Sequence, residues 1–144
     1  MADTITLSAF LIFNNDKELL LVHRKDHDWY ETAGGKVDPK DCANYPTITQ
    51  EDLLRTATRE LHEELGTSIV LEQPSYFGNV EFDLPDGRHA VAHKFLVKYV
   101  SGKALVQEPD LFTHARWISL VQLQTVQLSP DLGILLPQLL RLVT

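Results

Sequence analysis

The sequence predicts an α+β fold, with one mixed β-sheet packed between helices as an α/β/α sandwich. Two observations lead there. Seven apolar, β-prone runs are separated by turn chemistry, while two stretches carry helical periodicity. At 144 residues the chain (1–144) reads as a single domain, long enough to bury a core.

The elements follow in order. Thr4 to Phe13 is apolar and β-prone, and Asn14-Asn15-Asp16-Lys17 is turn chemistry. Glu18 to Arg24 reads as a second strand, so the two form a hairpin. Lys25 to Glu31 is charged and aromatic, and Ala33-Gly34-Gly35 permits backbone conformations that other residues resist. Asp38 to Ile48 has no periodicity and reads as a loop, marked by Pro39, Asn44 and Pro46. Leu54, Ala57, Leu61 and Leu65 then recur at spacings of three and four, the stripe of an amphipathic helix that Gly66 stops. Its N-cap is either Thr49, in a capping-box-like Thr-x-x-Asp, or Asp52. Ser68 to Leu71, Tyr76 to Leu84 and Arg88 to Val100 read as strands, the last two joined by the turn Pro85-Asp86-Gly87. Ala104 to Gln107 and Ala115 to Ile118 are shorter β candidates. Ser129-Pro130 opens a leucine-rich helix over Asp131 to Val143, expected to pack on the sheet.

Net charge is −7, with Lys and Arg scattered singly, so no basic stripe exists to bind long nucleic acid. A phosphate substrate is compatible with that charge, because a bound divalent cation reverses the local field. Cys42 is the only cysteine, which excludes an intrachain disulfide and fits a reducing compartment. It reads as a loop cysteine rather than a catalytic thiol. No apolar run is long enough to span a membrane, and the start Met-Ala-Asp-Thr is not a signal peptide, so a cytoplasmic address is expected.

The chemistry concentrates in Arg59-Glu60-Leu61-His62-Glu63-Glu64-Leu65-Gly66. At about 100° per residue, Glu60 and Glu64 lie roughly 40° apart, and Glu63 lies about 60° from Glu60 on the other side. Arg59 reaches Glu63 at i,i+4, and also Glu51 if that residue folds back. A solvated charged face is the plain alternative. Two features oppose it: no Lys offsets the like charges, and a Gly-Gly loop upstream can add carbonyl ligands. Carboxylates grouped in this way suit Mg²⁺ or Mn²⁺, cations that commonly serve phosphate chemistry.

These residues resemble the signature of the Nudix hydrolases, or MutT-like proteins: glycine, five residues, Glu, seven residues, Arg-Glu, an apolar residue, any residue, Glu-Glu, any residue, Gly and an apolar residue. Glu51, Arg59, Glu60, Leu61, Glu63, Glu64 and Gly66 match in register. Six such matches by chance have a frequency on the order of 10⁻⁷ per start position. Tyr30 to Val37 also resembles the family's aromatic-x-x-Pro-Gly-Gly approach, and the strand order agrees along nearly the whole chain. There are three departures. Fifteen residues separate Gly35 from Glu51, an insertion of ten at about 39–48; Ala33 replaces proline; and Thr67 stands at an apolar position.

The resemblance implies a Nudix-type fold and metal-dependent hydrolysis of a small nucleoside diphosphate linked to another group. Glu60 and Glu64 would be the main ligands of Mg²⁺ (or Mn²⁺), Glu63 a further ligand directly or through water, and the Gly35 carbonyl would complete the set. Glu63, Glu60, Arg59 and Glu51 form the expected catalytic group, with Arg59 paired to Glu51 to hold the helix in place. The resemblance also favours Asp52 as the N-cap.

Outside this segment, Arg24 is a candidate phosphate contact or a solvated strand-end arginine. Tyr30 or Trp29 would stack on a base or pack beneath the loop. Glu108 and Asp110 are candidates for an additional carboxylate, with a solvated loop as the simpler reading. His89 and His93 share a strand face, and Trp117 is expected in the core. The insertion reads as a substrate lid or as a tolerated surface loop. Two other functions stay open: a non-catalytic nucleotide-binding sensor, and an isomerase acting on a diphosphate.

Overall fold

The computed structural model describes residues 4–142. The strands are β1 (Thr4–Phe13), β2 (Glu18–Arg24), β3 (Trp29–Glu31), β4 (Gly34–Lys36), β5 (Val70–Leu71), β6 (Ser75–Asp83), β7 (His89–Ser101) and β8 (Phe112–Ser119). The helices are α1 (Gln50–Leu65), α2 (Leu120–Leu123) and α3 (Pro130–Arg141), with a 3₁₀ turn at Pro39–Asp41.

The strands form one mixed sheet. β1 and β2 make the expected hairpin, and β6 and β7 pair antiparallel across the Pro85-Asp86-Gly87 turn. At the centre, β1 runs parallel to β7 from Thr4↔His89 to Phe13↔Lys98. Parallel neighbours require a crossover connection, and α1 lies within it.

Period-2 alternation in β1 and β2 makes the sandwich. Phe10, Ile12, Leu20 and Val22 face one side, where Leu53, Ala57, Leu61 and Leu65 of α1 cover them. Leu11, Leu19 and Leu21 face the other, beneath Leu132, Leu135 and Leu139 of α3 and Leu120 and Leu123 of α2. The α/β/α layering is therefore as expected, and Trp117 packs half-buried against the α1 side. No described helix is long and apolar enough to cross a membrane.

Several local expectations change. Thr49, not Asp52, caps α1: its hydroxyl accepts from the Asp52 N–H, and the Asp52 carboxylate accepts from the Thr49 N–H, a reciprocal capping box. Gly34–Lys36 is a strand, because β1 offers it an edge at Ser8↔Gly35. Residues 104–107 are irregular; their amides bond to the end of α1, Leu105 N–H to Leu65 O and Gln107 N–H to Glu64 O. The strand expected at Ser68 shortens to Val70–Leu71, and the short helix α2 was not foreseen. Val143, the expected end of the last helix, lies outside the described residues.

Candidate active site

Helix α1 presents its carboxylates where its C-terminal half crosses β4. Apolar packing of Leu61 and Leu65 fixes the helix rotation, and the Ser8 hydroxyl donates to Leu53 O at 2.6 Å. That rotation buries Glu64, which is 2% exposed. Its Oε2 accepts from the Gly34 N–H at 3.2 Å, while Oε1 is buried without a hydrogen-bond partner. Burial first, and then the charges of Glu60, Glu31 and Glu108, push the Glu64 carboxyl up to about 10.

Gly35 faces Glu60. A Cβ on Gly35 would stand 2.5 Å from Glu60 Cδ, so a side chain there would push that carboxylate aside. Gly34 is the more tightly constrained, because its Cβ would stand 2.5 Å from the backbone Ser8 O and 2.3 Å from Ala9 Cβ of β1. The glycine pair thus supplies room against β1 and α1 rather than the unusual backbone conformation expected, since both glycines lie in an ordinary strand.

Arg59 organises the rest. Its Nε and Nη2 grip both oxygens of Asp41 at 3.0 and 2.9 Å, and Nη1 donates to Glu60 at 3.0 Å and to Glu63 at 3.2 Å. The expected partner, Glu51, is absent from this network: it stands exposed in the first turn of α1, two turns from Arg59. Asp41 replaces it. Besides Arg59, its carboxylate accepts from Thr56 Oγ1 at 2.8 Å and from the Asp38 N–H at 3.0 Å. The Arg59 guanidinium holds Asp41 well below the usual carboxylate range, and Asp41 in turn raises Arg59.

Five residues separate Gly35 from Asp41, the spacing of the signature itself. The ten additional residues therefore fall between Asp41 and Arg59, and Glu51 matches by coincidence of register. The signal was in the sequence, with Asp standing for Glu. The added segment is pinned rather than free. The fully buried Asp52 accepts from the Ala43 N–H at 3.2 Å and pairs with Arg55, whose Nε donates to Asp41 O at 2.9 Å.

A cavity of about 580 Å³ opens beside the glycine pair, lined by Arg24, Trp29, Glu31, Gly35, Lys94 and Asp131 among others. Among the described residues none of 39–48 lines it. Arg24 stands on its wall. Burial works against the charge on Arg24, but a hydrogen bond to Asp26 and the fields of Glu31 and Glu64 raise its pKa overall. Trp29 also lines the wall, stacked on His27 at 4.3 Å with its Nε1 donating to Glu31. Tyr30 does not: it is 8% exposed, packs into the α3-side core and bonds His114 Nε2 through its hydroxyl at 2.7 Å. His93 reaches the cavity while bonded to Tyr76, whereas His89 pairs with Glu81 and Asp83.

Glu108 was a minor expectation, yet it sits within the field of the acidic helix: burial and the charges of Glu60 and Glu63 push its pKa up. Asp110 is exposed. Among the described residues, no three His, Cys, Asp or Glu side chains converge tightly enough to cage an ion. Glu60 and Glu63 both bond Arg59 Nη1. The donor set nonetheless fits a hard cation, since it is all oxygen, holds one orphaned buried carboxylate oxygen and is cleared by glycine.

The fold recurs in known proteins. The chain is similar in structure to a MutT NUDIX hydrolase from Burkholderia pseudomallei, at 29% identity and a TM-score of 0.73, covering 94% of this chain and 98% of that one. It resembles in fold the MutT protein from Methanosarcina mazei Go1, at 23% identity and a TM-score of 0.74, over 97% and 95% of the two chains. It also shares its fold with the NUDIX domain of Shewanella oneidensis NrtR complexed with ADP ribose, at 17% identity and a TM-score of 0.74, over 100% and 91%. No curated protein matches it by sequence. A family model, the NUDIX domain, matches residues 4–139, from β1 through the glycine pair and the acidic helix into α3, and the chain therefore belongs to that family.

Proposed function

We propose that the chain is a Mg²⁺- or Mn²⁺-dependent pyrophosphohydrolase that cleaves a small nucleoside diphosphate derivative. The observation that carries this reading is Glu64: a buried carboxyl with one oxygen unpartnered, beside Glu60 and facing a glycine pair. A group in that position is costly unless a cation satisfies it. Glu60 and Glu64 would hold the ion, with Glu63 as a further ligand and the Gly35 carbonyl completing the set. When bound, such an ion neutralises the diphosphate and lowers the pKa of a bound water.

The chain's own residues do the rest. Arg59, locked by Asp41, positions Glu60 and Glu63 and is a positioning residue rather than a ligand. Glu108 faces the cluster from the loop before β8 and supplies the additional carboxylate for orienting the attacking water. Arg24 meets the phosphates from the cavity wall, and Trp29 offers a face to the base. The test is a panel of nucleoside diphosphate derivatives assayed for released nucleoside monophosphate or phosphate, with Mg²⁺ and with EDTA. Turnover of at least one member with Mg²⁺ and none with EDTA is expected. Turnover of no member overturns the reading and leaves a binding module.

A further inference from the structure

The start of β8 carries a run of linked side chains that metal and phosphate binding do not explain. Strands β2 and β8 pair in register from Glu18↔Ser119 to Val22↔Ala115, and then Arg24 stands opposite Phe112. One residue of β2, His23, therefore faces two of β8, Thr113 and His114, which is a β-bulge. The extra residue turns Phe112 toward the α1-side core, where unbroken alternation from Trp117 and Ala115 would have placed Thr113. The bulge thereby sets the loop that precedes β8. In that loop Glu108 O accepts from the Leu111 and Phe112 N–H groups, both at 3.0 Å. Lys25 ties the loop to the β2–β3 turn, through its N–H to Leu111 O at 2.8 Å and its Nζ to Pro109 O at 3.0 Å.

Side chains close the bulge, and the direction of each bond follows from its neighbours. Arg116 Nη1 can only donate, and it donates to the Tyr30 hydroxyl oxygen at 3.3 Å. The buried Tyr30 O–H then donates to His114 Nε2 at 2.7 Å, its one acceptor among the described residues. A neutral His114 therefore carries its proton on Nδ1 and donates to Thr113 Oγ1 at 2.9 Å. The Thr113 hydroxyl in turn donates to His23 Nδ1 at 2.7 Å, and His23 Nε2–H ends the chain on Asp28 at 2.8 Å. The two imidazoles lie parallel, 5.2 Å apart.

This chain holds while His114 is neutral. A proton on Nε2 would meet the Tyr30 O–H donor against donor, and the new cation would lie against His23 and near Arg116. Burial, His23 and the Arg116 charge lower the His114 pKa. Among the described residues, the titratable and charged groups around it are His23 of β2, Asp28 beyond that ring, Tyr30 of β3 and Arg116 of β8 itself. Residues 124–129, whose backbone bonds that of Tyr30 at Gln127 and Ser129, contain no ionisable side chain.

We infer that neutral His114, joined through Thr113 to His23, is a positioning residue for Glu108: it closes the bulge that sets the Glu108 loop, and a proton on it releases that loop. This rests on the proposed role of Glu108 in orienting the attacking water. Displacing such a group slows the chemical step while leaving in place the groups proposed to hold the diphosphate.

The experiment compares Thr113→Val with Thr113→Ser. Thr113 is exposed, and valine keeps its shape and strand preference while removing the hydroxyl between the rings; serine retains the hydroxyl. With Mg²⁺ and the best nucleoside diphosphate derivative, Thr113→Val should lower kcat at least about tenfold and leave KM within about threefold. Thr113→Ser should keep kcat within about threefold of wild type. A second readout needs no turnover. In an NMR pH titration of the metal-free wild type, the neutral His114 ring should carry its proton on Nδ1, and the Asp110 and Leu111 amide signals should move with the His114 midpoint. In Thr113→Val they should cease to follow it, which separates this effect from titration of the Glu108 carboxyl itself. Wild-type kcat in Thr113→Val, a KM that moves as far as kcat, an equal loss in Thr113→Ser, or loop amides that ignore the His114 midpoint would overturn the inference. Should Thr113→Val fail to fold by circular dichroism, the wild-type titration and Thr113→Ser decide. If no derivative is hydrolysed, the proposed function fails while the titration still tests the bulge; wild-type kcat in a hydrolysing Thr113→Val enzyme sinks only the inference.

Discussion

Replacing Glu64 by Gln should stabilise the metal-free protein while removing its activity. Glu64 ionises near 4.5 in an unfolded chain and is pushed up to about 10 in the fold, by burial and by neighbouring carboxylates. Between those values the unfolded chain releases a proton that the native chain keeps. Stability therefore falls as pH rises, by about 1.4 kcal/mol per unit from near 4.5, and levels off above 10. At pH 7 the accumulated loss is about 3 kcal/mol, a figure that needs only a folded value above 7. Glutamine does not titrate, so Glu64→Gln recovers up to about 3 kcal/mol and raises Tm by roughly 10 °C. Urea unfolding in EDTA at several pH values measures this. Wild-type stability should fall from pH 5.5 to 9, and the variant's slope should be shallower by about one proton. Mg²⁺ at a hundred times its Kd should add about 2.7 kcal/mol to the wild type and little to the variant. A Glu64→Gln protein less stable than wild type in EDTA at pH 7, or a wild-type profile flat over that range, would refute the reasoning.

Two further outcomes concern the support of the site. Asp41→Asn should cost about 2 kcal/mol, less than a fully buried pair because Arg59 is a quarter exposed, whereas Glu51→Gln should stay within about 0.5 kcal/mol by urea unfolding. Because the Asp41 pKa is depressed, its contribution is present above the ordinary carboxylate value of 3.8 and is lost as pH falls below it, which acid titration of the two variants separates. Gly35→Ala should keep the fold yet weaken Mg²⁺ binding by about tenfold or more, measured by calorimetry, because its Cβ would displace Glu60.

The layered fold was legible because its signals are local. Alternation in β1 and β2 and the leucine stripe of α1 set which faces are buried, and the structure keeps them. The parallel pairing of β1 with β7 was not legible, since the two strands are distant in sequence and nothing in either marks the other. In the site, Glu60, Glu63 and Glu64 followed from helical geometry, but the partner of Arg59 did not. Glu51 satisfied a fixed spacing, while Asp41 satisfied the physics: a 3₁₀ turn with its own capping box holds that carboxylate in front of the guanidinium. Which of Tyr30 and Trp29 turns inward was not legible, because alternation along a strand of three residues is too short to say which face is buried. The ion pair of Lys94 with Asp131, 2.6 Å apart in the cavity wall, left no sequence signal, because its partners meet only when α3 closes over the sheet.

Turnover of the best nucleoside diphosphate derivative, titrated with Mg²⁺ in wild type and Glu64→Gln, tests the central claim most directly. Activity should rise saturably with Mg²⁺, vanish in EDTA, and fall at least about a thousandfold in the folded variant. Full turnover in EDTA, or wild-type rates in Glu64→Gln, would show that the acidic helix does not hold the catalytic ion.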